Sequence, residues 1–497
     1  MEEKVTPTAH RMLFFNTLAF TVCFAVWVFN GVMVTYLVDN GVFKWGPKEI
    51  GWLLGIPVLT GSIFRLPIGV LTDRFGGKWV FGLLLIACAF PMYFLSQAHT
   101  FTSYALLSAG FGMAGTGFAV GIAYSSVWYP RKWQGTALGI FGAGNAGASI
   151  TTFLAPSLLN YLTGNGTNID NWRQLPKIYA VGLVLMGILF LLFTKNKRPT
   201  ARPESLTHLL SPLKSMRVWR FGLYYFLVFG CFVAFSQWLV PYFVSVYSVS
   251  LVTAGMLTSS FSLPSGVIRA LGGWVSDTWG ARRVMYLVLG ASMVLALLLS
   301  VPRMEITSPG KGVSALKNGT VTSVSDDSVK VDQTEYKVRT RSGAFENLDQ
   351  RALILPTKDS WQTPVVKPGE TVKKKQLLAK ETTRIYFQAN VTIYAILVIM
   401  IGIVWGIGKA AVYKFIPEYF PNEVGVVGGM VGVIGGLGGF VCPILFGYLL
   451  EGTGLWTSCW MLMFVVSAAC LWWLHSVVTR IVSRGAPHLA ETFEHKP

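Results

Sequence analysis

The sequence has few charged residues for its length. Only 13% of its 497 residues are Asp, Glu, Lys or Arg, and the acidic residues number 23. A soluble domain has about 25% charged residues, so the composition argues against a soluble enzyme. The six histidines lie mostly in predicted loops or tails, and none of the six cysteines pairs in a metal-like spacing. We therefore expect no metal site and no cofactor.

Long apolar segments take the place of the missing charge. Hydrophobic residues make up 53% of the chain, and the first long apolar run covers residues 13–37. About 20 apolar residues cross a bilayer as a helix, and a spanning segment must satisfy its own backbone groups. Twelve segments meet this requirement. The sequence therefore predicts an all-α membrane protein with twelve transmembrane helices.

The net charge of +18 could indicate nucleic-acid binding, but its distribution indicates a membrane topology. Basic residues concentrate in alternate short loops and in the C-terminal tail: Arg74, Lys78, Arg131, Lys132, Lys195, Lys197, Arg282, Arg283 and Arg480. This positive-inside pattern predicts that both termini are cytoplasmic and that the protein is in the inner membrane. Attraction to anionic lipid accounts for the excess of basic over acidic residues, and we expect no nucleic-acid partner.

An internal repeat divides the chain into two halves. Residues 61–77 read GSIFRLPIGVLTDRFGG and residues 265–281 read SGVIRALGGWVSDTWGA. At a shift of 204, Arg65 aligns with Arg269 and Asp73 with Asp277. Later glycine motifs align at a shift of 291, which is 87 residues longer. The second half therefore contains an insertion of about that length, in a duplicated six-helix plan typical of transporters.

These repeats predict two pseudo-symmetric six-helix bundles and a separate insert. The predicted parts are an N-terminal bundle at 1–195, a cytoplasmic linker at 196–216, a C-terminal bundle at 217–301 and 386–480, an insert at 302–385 and a cytoplasmic tail at 481–497. Period-two alternation at 319–324 and 328–332 predicts a small β-rich domain between helices 9 and 10. Counting spans places it on the outer (periplasmic) face. Residues 365–379 resemble the hairpin of lipoyl- and biotinyl-type domains, which implies a shape but no cofactor.

Arg65 and Arg269 are the main candidate binding residues. Each lies within an apolar span, eight residues before an aspartate, and no acidic residue is near in its own helix. An arginine at mid-membrane is costly, so we expect both to face the space between the halves. Two guanidinium groups suit a small planar oxyanion. The alternative is that they pair with carbonyl groups or with an acid on another helix.

Other candidates have weaker signals. Asp73 and Asp277 belong to a turn motif, in which the aspartate can cap the next helix and accept from Arg74 or Arg282, so we predict a structural or gating role. The glycine-rich runs at 135–147 and 425–439 let helices approach closely, and their equivalent places in both halves favour lining of the substrate path. The candidate substrate-path residues in these runs are Gly144, Gly435 and Gly436, with Asn145 as a side-chain donor.

Two aromatic residues and one lysine complete the candidate set. Phe118 and Tyr225 could contact an anion, although periodicity alone favours ordinary packing for both. Lys409 lies deep in span ten and is a candidate coupling residue that responds to protonation. The alternatives for Lys409 are snorkelling to the surface or pairing with Glu418.

In these residues and in its glycine motifs, the chain resembles the nitrate/nitrite porters of the major facilitator superfamily, the NarK-like group. Residues 139–147 (GIFGAGNAG) and 432–439 (GVIGGLGG) look like the two nitrate-signature segments, and residues 406–414 (GIGKAAVYK) look like span ten of the type I subgroup. The resemblance covers nearly all spans and omits the insert. It implies that Arg65 and Arg269 bind the anion, that Phe118 and Tyr225 contact it, and that Asn145 lies near the site.

The resemblance also implies a mechanism. It implies a secondary transporter of nitrate, and of nitrite as well, working by alternating access as a monomer and without enzymatic activity. The type I likeness favours nitrate/proton symport, with nitrate/nitrite antiport as the alternative. Two other classes are alternatives: a haem-bearing redox subunit, which the positions of the histidines disfavour, and a membrane sensor or scaffold that uses the insert.

Overall fold

The computed structural model describes residues 5–198, 210–341, 356–387, 389–420 and 424–485. The chain forms two compact units. One comprises Met1–Ser300 and Ala395–Pro497, and the other is Val301–Tyr394. The first is helical and the second is built of β-strands, and each is described separately below.

The helical unit contains the predicted transmembrane helices. Eleven described helices are long and apolar enough to cross a membrane, and a bent pair makes twelve. The helices are α1 (Pro7–Asp39), α2 (Pro47–Phe75), α3 (Gly77–Gln97), α4 (Phe101–Trp128), α5 (Thr136–Leu162), α6 (Ile169–Phe193), α7 (Met216–Tyr247), α8 (Leu251–Val267 and Leu271–Trp279), α9 (Ala281–Leu299), α10 (Val391–Tyr419), α11 (Val426–Thr453) and α12 (Ser458–Arg480). The twelve-helix prediction is confirmed.

Several of these helices are interrupted near their middle. Helix α2 breaks at Phe64, and α8 breaks at Ile268 with a bend of 49°. Short 3₁₀ turns interrupt α4 at Met113–Thr116 and α5 at Ala143–Ala146, and a π-helical turn interrupts α7 at Phe226–Gly230. Such irregular turns within a span re-aim side chains and are frequent at functional sites.

Glycines bring the two halves into close contact at one end of the unit. The Pro47 end of α2 packs on the Thr453 end of α11, where a Cβ on Gly51 would lie 2.4 Å from the carbonyl oxygen of Pro443. Similarly, a Cβ on Gly31 of α1 would lie 2.7 Å from Cα of Gln237 in α7. Only glycine permits backbones to approach this closely. At this end the halves are therefore tightly sealed.

In its described residues, the β unit contains two four-stranded antiparallel sheets. Its strands are β1 (Met304–Pro309), β2 (Val313–Ser314), β3 (Gly319–Val324), β4 (Ser328–Val331), β5 (Thr334–Lys337), β6 (Thr357–Pro364), β7 (Thr371–Val372) and β8 (Leu377–Phe387). In one sheet β8 pairs with β1, β2 and β6, and the order in the other is β5-β4-β3-β7. The predicted β-rich insert is confirmed, because the alternating apolar residues Val321, Val329 and Val331 form its buried core.

The turn at Lys373–Gln376 differs from the hairpin that its sequence resembles. The strands on either side, β7 and β8, do not pair with each other, because β7 pairs with β3 and β8 belongs to the other sheet. The turn therefore crosses from one sheet to the other. Its backbone is held by Lys374 N–H, which donates to Asn318 Oδ1 at 2.7 Å, and Lys375 adopts a positive φ of 70°.

Candidate functional site

Arg65 follows the break in α2 and is almost completely buried, with 4% of its surface exposed. Its Nη1 donates a hydrogen bond of 2.7 Å to the carbonyl oxygen of Gly432 in α11, which belongs to the other half. Its Nε and Nη2 have no hydrogen-bond partner. A buried guanidinium that uses one nitrogen in this way retains donors for a ligand.

Arg269 occupies the equivalent place after the break in α8. Its Nη1 is buried and has no hydrogen-bond partner. The ring of Phe118 lies 5.9 Å from its Cζ and 5.1 Å from Cζ of Arg65. The two repeat-related arginines therefore converge on a single aromatic ring, and in the described part of the chain neither forms an ion pair.

Further aromatic rings surround the two guanidinium groups. Cζ of Arg65 lies 5.5 Å from the ring of Trp27 and 5.7 Å from that of Phe229, while Cζ of Arg269 lies 5.6 Å from the ring of Tyr413. The ring faces stabilise the cations without neutralising them. The positive charge therefore remains available to an anion.

Tyr225 and Asn145 add buried polar atoms with no partner. Tyr225 precedes the π-helical turn in α7, and its hydroxyl lies near Arg269 and Tyr413 without a hydrogen bond of normal geometry. Asn145 lies in the 3₁₀ turn of α5, is fully buried, and leaves both amide atoms unpartnered. Buried polar groups are normally hydrogen-bonded, so unpartnered ones indicate a site for a ligand or water.

The predicted glycines have different surroundings. A Cβ on Gly436 would lie 2.5 Å from Ser62 Oγ and 3.2 Å from Arg65 Nη1, and one on Gly435 would lie 2.2 Å from the ring of Tyr225. These two glycines thus adjoin binding candidates. A Cβ on Gly144 would meet Phe20 of α1 at 2.6 Å, so this glycine lets α5 approach α1 closely. Its place along the substrate path stays a prediction.

Lys409 is fully buried in α10. Its Nζ donates to Ser265 Oγ at 3.0 Å and lies 3.1 Å from the ring centre of Phe232. The alternatives of snorkelling and of pairing with Glu418 are therefore excluded for this conformation. Ser265 precedes Arg269 by one helical turn on α8, so Lys409 adjoins the second arginine.

The turn aspartates lie away from these residues. Asp277 forms an ion pair with Lys414 at 2.6 Å, and both side chains are largely exposed. This contact joins Asp277 to the end of α10, and the pairing of the turn aspartates with Arg74 or Arg282 stays a prediction. The N-caps of the following helices are Gly76 and Gly280, whose φ values of 89° and 83° favour glycine.

Sequence reasoning missed five residues that surround the arginines and Lys409: Trp27, Phe229, Tyr413, Ser265 and Phe232. A helical spacing of four could have indicated two of them. Phe229 follows Tyr225 by four residues and its ring stacks on Tyr225 at 4.9 Å, and Tyr413 follows Lys409 by four. No pattern indicated Trp27, whose place depends on how α1 packs on α2.

The fold and these side chains define a duplicated twelve-helix membrane protein whose halves meet around two buried arginines. Residues 15–313 match the profile of the Major Facilitator Superfamily. The chain belongs to the Major Facilitator Superfamily.

Several curated relatives have names that refer to nitrate or nitrite. The probable nitrate/nitrite antiporter NarK1 of Thermus thermophilus is 37% identical over 99% of this chain and 97% of its own length. The nitrite extrusion protein of Bacillus subtilis is 23% identical over 93% of this chain and 92% of its own. The probable nitrate transporter NarT of Staphylococcus haemolyticus is 24% identical over 88% and 89% of the two chains.

Solved structures support the fold. A bacterial homologue of the human lysosomal transporter Spinster, in an inward-facing and occupied conformation, superposes with a TM-score of 0.63 at 13% identity, covering 99% of this chain and 100% of that chain. The nucleoside transporter NupG has a TM-score of 0.58 at 12% identity, with coverages of 94% and 98%. At these identities the likeness concerns the fold alone.

Proposed function

We propose that this protein carries nitrate and nitrite across the cytoplasmic membrane, and that Arg65 and Arg269 bind the anion. The observation that carries the proposal is the convergence of both guanidinium groups on Phe118, with unpartnered nitrogens on each. The names of relatives with full-length matches support this substrate class.

A small planar oxyanion fits the chemistry of these side chains. Guanidinium groups donate paired hydrogen bonds in one plane, and such charge-assisted bonds are about twice as strong as neutral ones. Aromatic rings on several sides match the flat faces of a trigonal anion and exclude water. The unpartnered donors of Asn145 and Tyr225 are suited to replace further bonds of its hydration shell.

Movement of the anion requires the two halves to move relative to each other. Arg65 and Arg269 come from different halves, and like charges in a low-dielectric interior repel each other. An anion between them removes that repulsion, so occupancy favours closure around the substrate. The glycine-mediated seal between α2 and α11 lies at the proposed outer end and must open when the site faces outward.

The proposed coupling is nitrate/proton symport, which would let a proton gradient drive uptake. The alternative is nitrate/nitrite antiport, as in the name of the Thermus thermophilus relative. Proteoliposomes distinguish the two. Symport predicts nitrate uptake that accelerates with an inward proton gradient and needs no internal nitrite. Uptake that ignores the pH gradient and requires internal nitrite would establish antiport.

The remaining features of the proposal concern topology and partners. Both termini are cytoplasmic, the insert is on the outer face, and the protein acts as a monomer with no nucleic-acid partner. It catalyses no chemical reaction. The distribution of basic residues among the short loops supports this orientation.

The central test replaces each site arginine by lysine. Arg65→Lys and Arg269→Lys keep the charge and lose the planar fork, and each lost charged hydrogen bond is worth about 1.5–3 kcal/mol. We expect nitrate transport in proteoliposomes to fall by about tenfold or more for each variant.

A matched control is Arg220→Lys. Arg220 is also buried, with an unpartnered Nε, but it lies near Tyr224 and Phe221, closer to the Met216 end of α7 than Tyr225 is. Transport should persist in this variant. Wild-type rates in both site variants, at equal reconstituted protein, would contradict the proposed function.

A further inference from the structure

Lys409 has a buried amine with no acidic partner in the described part of the chain. Its Nζ has one hydrogen-bonding neighbour, Ser265 Oγ, and rests against the face of Phe232. The lysine is fully buried, and the ring against its Nζ is apolar. Burial of an amine in such a setting disfavours its charged form unless a negative charge is near.

The charged and titratable groups around Lys409 oppose its protonation or are neutral. Arg269 on α8 is the charged group that acts on it, and its sign is the same. Tyr413 lies one turn along α10, and Tyr225 on α7 packs against Tyr413 at 5.0 Å between ring centres. Among the described residues, these elements contribute no carboxylate to this region. The negative charge that would favour the ammonium form must therefore come from a ligand.

We propose that Lys409 carries the coupling proton, as a neutral amine in the empty site and as an ammonium ion when an anion lies between Arg65 and Arg269. This assignment rests on the proposed function and adds the identity of the proton carrier. It makes proton binding and anion binding mutually reinforcing, since linkage requires that each favours the other equally.

The proton balance of a transport cycle follows directly. When nitrate enters, Lys409 Nζ takes one proton from water through its lone pair, and the site gains one positive and one negative charge. After the halves rearrange, nitrate leaves, the ammonium loses its compensating charge, and Nζ returns the proton to water on that side. One nitrate and one proton therefore move together without net charge.

Ser265 is suited to both states of the lysine. Its hydroxyl accepts a hydrogen bond from the ammonium form, and by rotating it donates one to the lone pair of the neutral amine. Ser265 and Arg269 lie one turn apart on α8. Lys409 therefore contacts, through Ser265, the bent helix that carries Arg269 beyond the break at Ile268.

Calorimetry on the purified full-length protein tests the assignment. Nitrate is titrated in two buffers of different ionisation enthalpy over a series of pH values, and the difference in heat counts the protons taken up. We expect wild-type protein to take up close to one proton per nitrate within part of the range. In the pH interval where one proton is taken up per nitrate, nitrate affinity should fall by about tenfold for each unit by which the pH rises. Nitrate binding without proton uptake at every pH would overturn this assignment and leave the proposed function standing.

Two variants locate the proton. Lys409→Met is neutral and Lys409→Arg is permanently charged, so nitrate binding by either should take up no proton. Proton uptake that persists in either variant would overturn the assignment. Lys414→Met is the matched control on the same helix, at its exposed end, and should take up protons as wild type does. A folded wild-type protein that binds no nitrate at all would overturn the proposed function, and this assignment with it.

Discussion

At the scale of single residues, the site depends on side chains whose polar atoms are buried and unpartnered. Arg65, Arg269, Asn145 and Tyr225 all have such atoms. Unsatisfied buried groups are costly, and proteins retain them mainly where a ligand completes them. The pattern therefore gives each of these residues a testable role in binding.

The hydroxyl of Tyr225 provides one such test. Tyr225→Phe keeps the ring that stacks on Phe229 and removes only the hydroxyl. A hydrogen bond to an anion is worth about 1.5–3 kcal/mol, so the KM for nitrate should rise by about tenfold or more.

Tyr224→Phe is a close control for this prediction. Tyr224 is adjacent, equally buried, and also has an unpartnered hydroxyl, but it lies with Arg220 rather than with the site arginines. Its removal should leave KM unchanged. A larger effect at Tyr224 than at Tyr225 would reassign the hydroxyl contact.

Gly436 offers a second test at this scale. A methyl group in Gly436→Ala would press on Ser62 and on Arg65 Nη1, at a cost of about 1–3 kcal/mol for overpacking. We expect a large loss of nitrate transport with little loss of protein. Gly429→Ala on the same helix meets nothing within 4 Å and should transport normally. Equal rates for the two variants would mean that Arg65 does not need its present position.

At the scale of helices, the site residues coincide with interruptions. Arg65 and Arg269 follow breaks, Asn145 lies in a 3₁₀ turn, and Tyr225 precedes a π-helical turn. The repeat in the sequence predicted the two arginines, because a buried charge in an apolar run stands out. It did not predict Tyr413 or Ser265, because a tyrosine or serine in a membrane helix is ordinary until the packing of neighbouring helices is known.

The glycine contacts between α2 and α11 predict a conformational effect. In Gly51→Ala the new methyl would lie 2.4 Å from the carbonyl oxygen of Pro443, so the two helices must separate at this end. If transport requires this end to close, nitrate flux should fall although Arg65 and Arg269 are untouched.

A control for this prediction lies in the same helix. A Cβ on Gly69 of α2 would meet nothing within 4 Å, so Gly69→Ala should transport at the wild-type rate. Normal flux in Gly51→Ala would show that tight closure at this end is not needed.

At the scale of the whole molecule, the sequence predicted the twelve helices and the β-rich insert because both have strong periodic signals. Long apolar runs mark spans, and alternation at 319–324 marks a strand. The crossing of the turn at Lys373–Gln376 between sheets was not predictable, because strand partners depend on contacts distant in sequence. For the same reason the sequence did not indicate that α1 is the helix against which Gly144 packs.

Deletion of residues 312–380 tests whether the insert takes part in transport. Strands β1 and β8 pair from Met304 with Phe387 to Pro309 with Thr382, and Gly310 N–H donates to the carbonyl oxygen of Glu381 at 2.9 Å. The deletion can therefore close as a short turn at the end of this ladder. We expect nitrate transport to persist, and its loss in a folded protein would give the insert a role in transport.

The side-by-side course of β1 and β8 also has a practical consequence. The chain leaves α9 and returns to α10 through two adjacent strands, so whatever replaces the distal part of the insert needs only termini that lie close together. A fluorescent protein whose ends are neighbours meets that condition. Fusion at this ladder would give a reporter within the polypeptide, with both ends of the carrier left native.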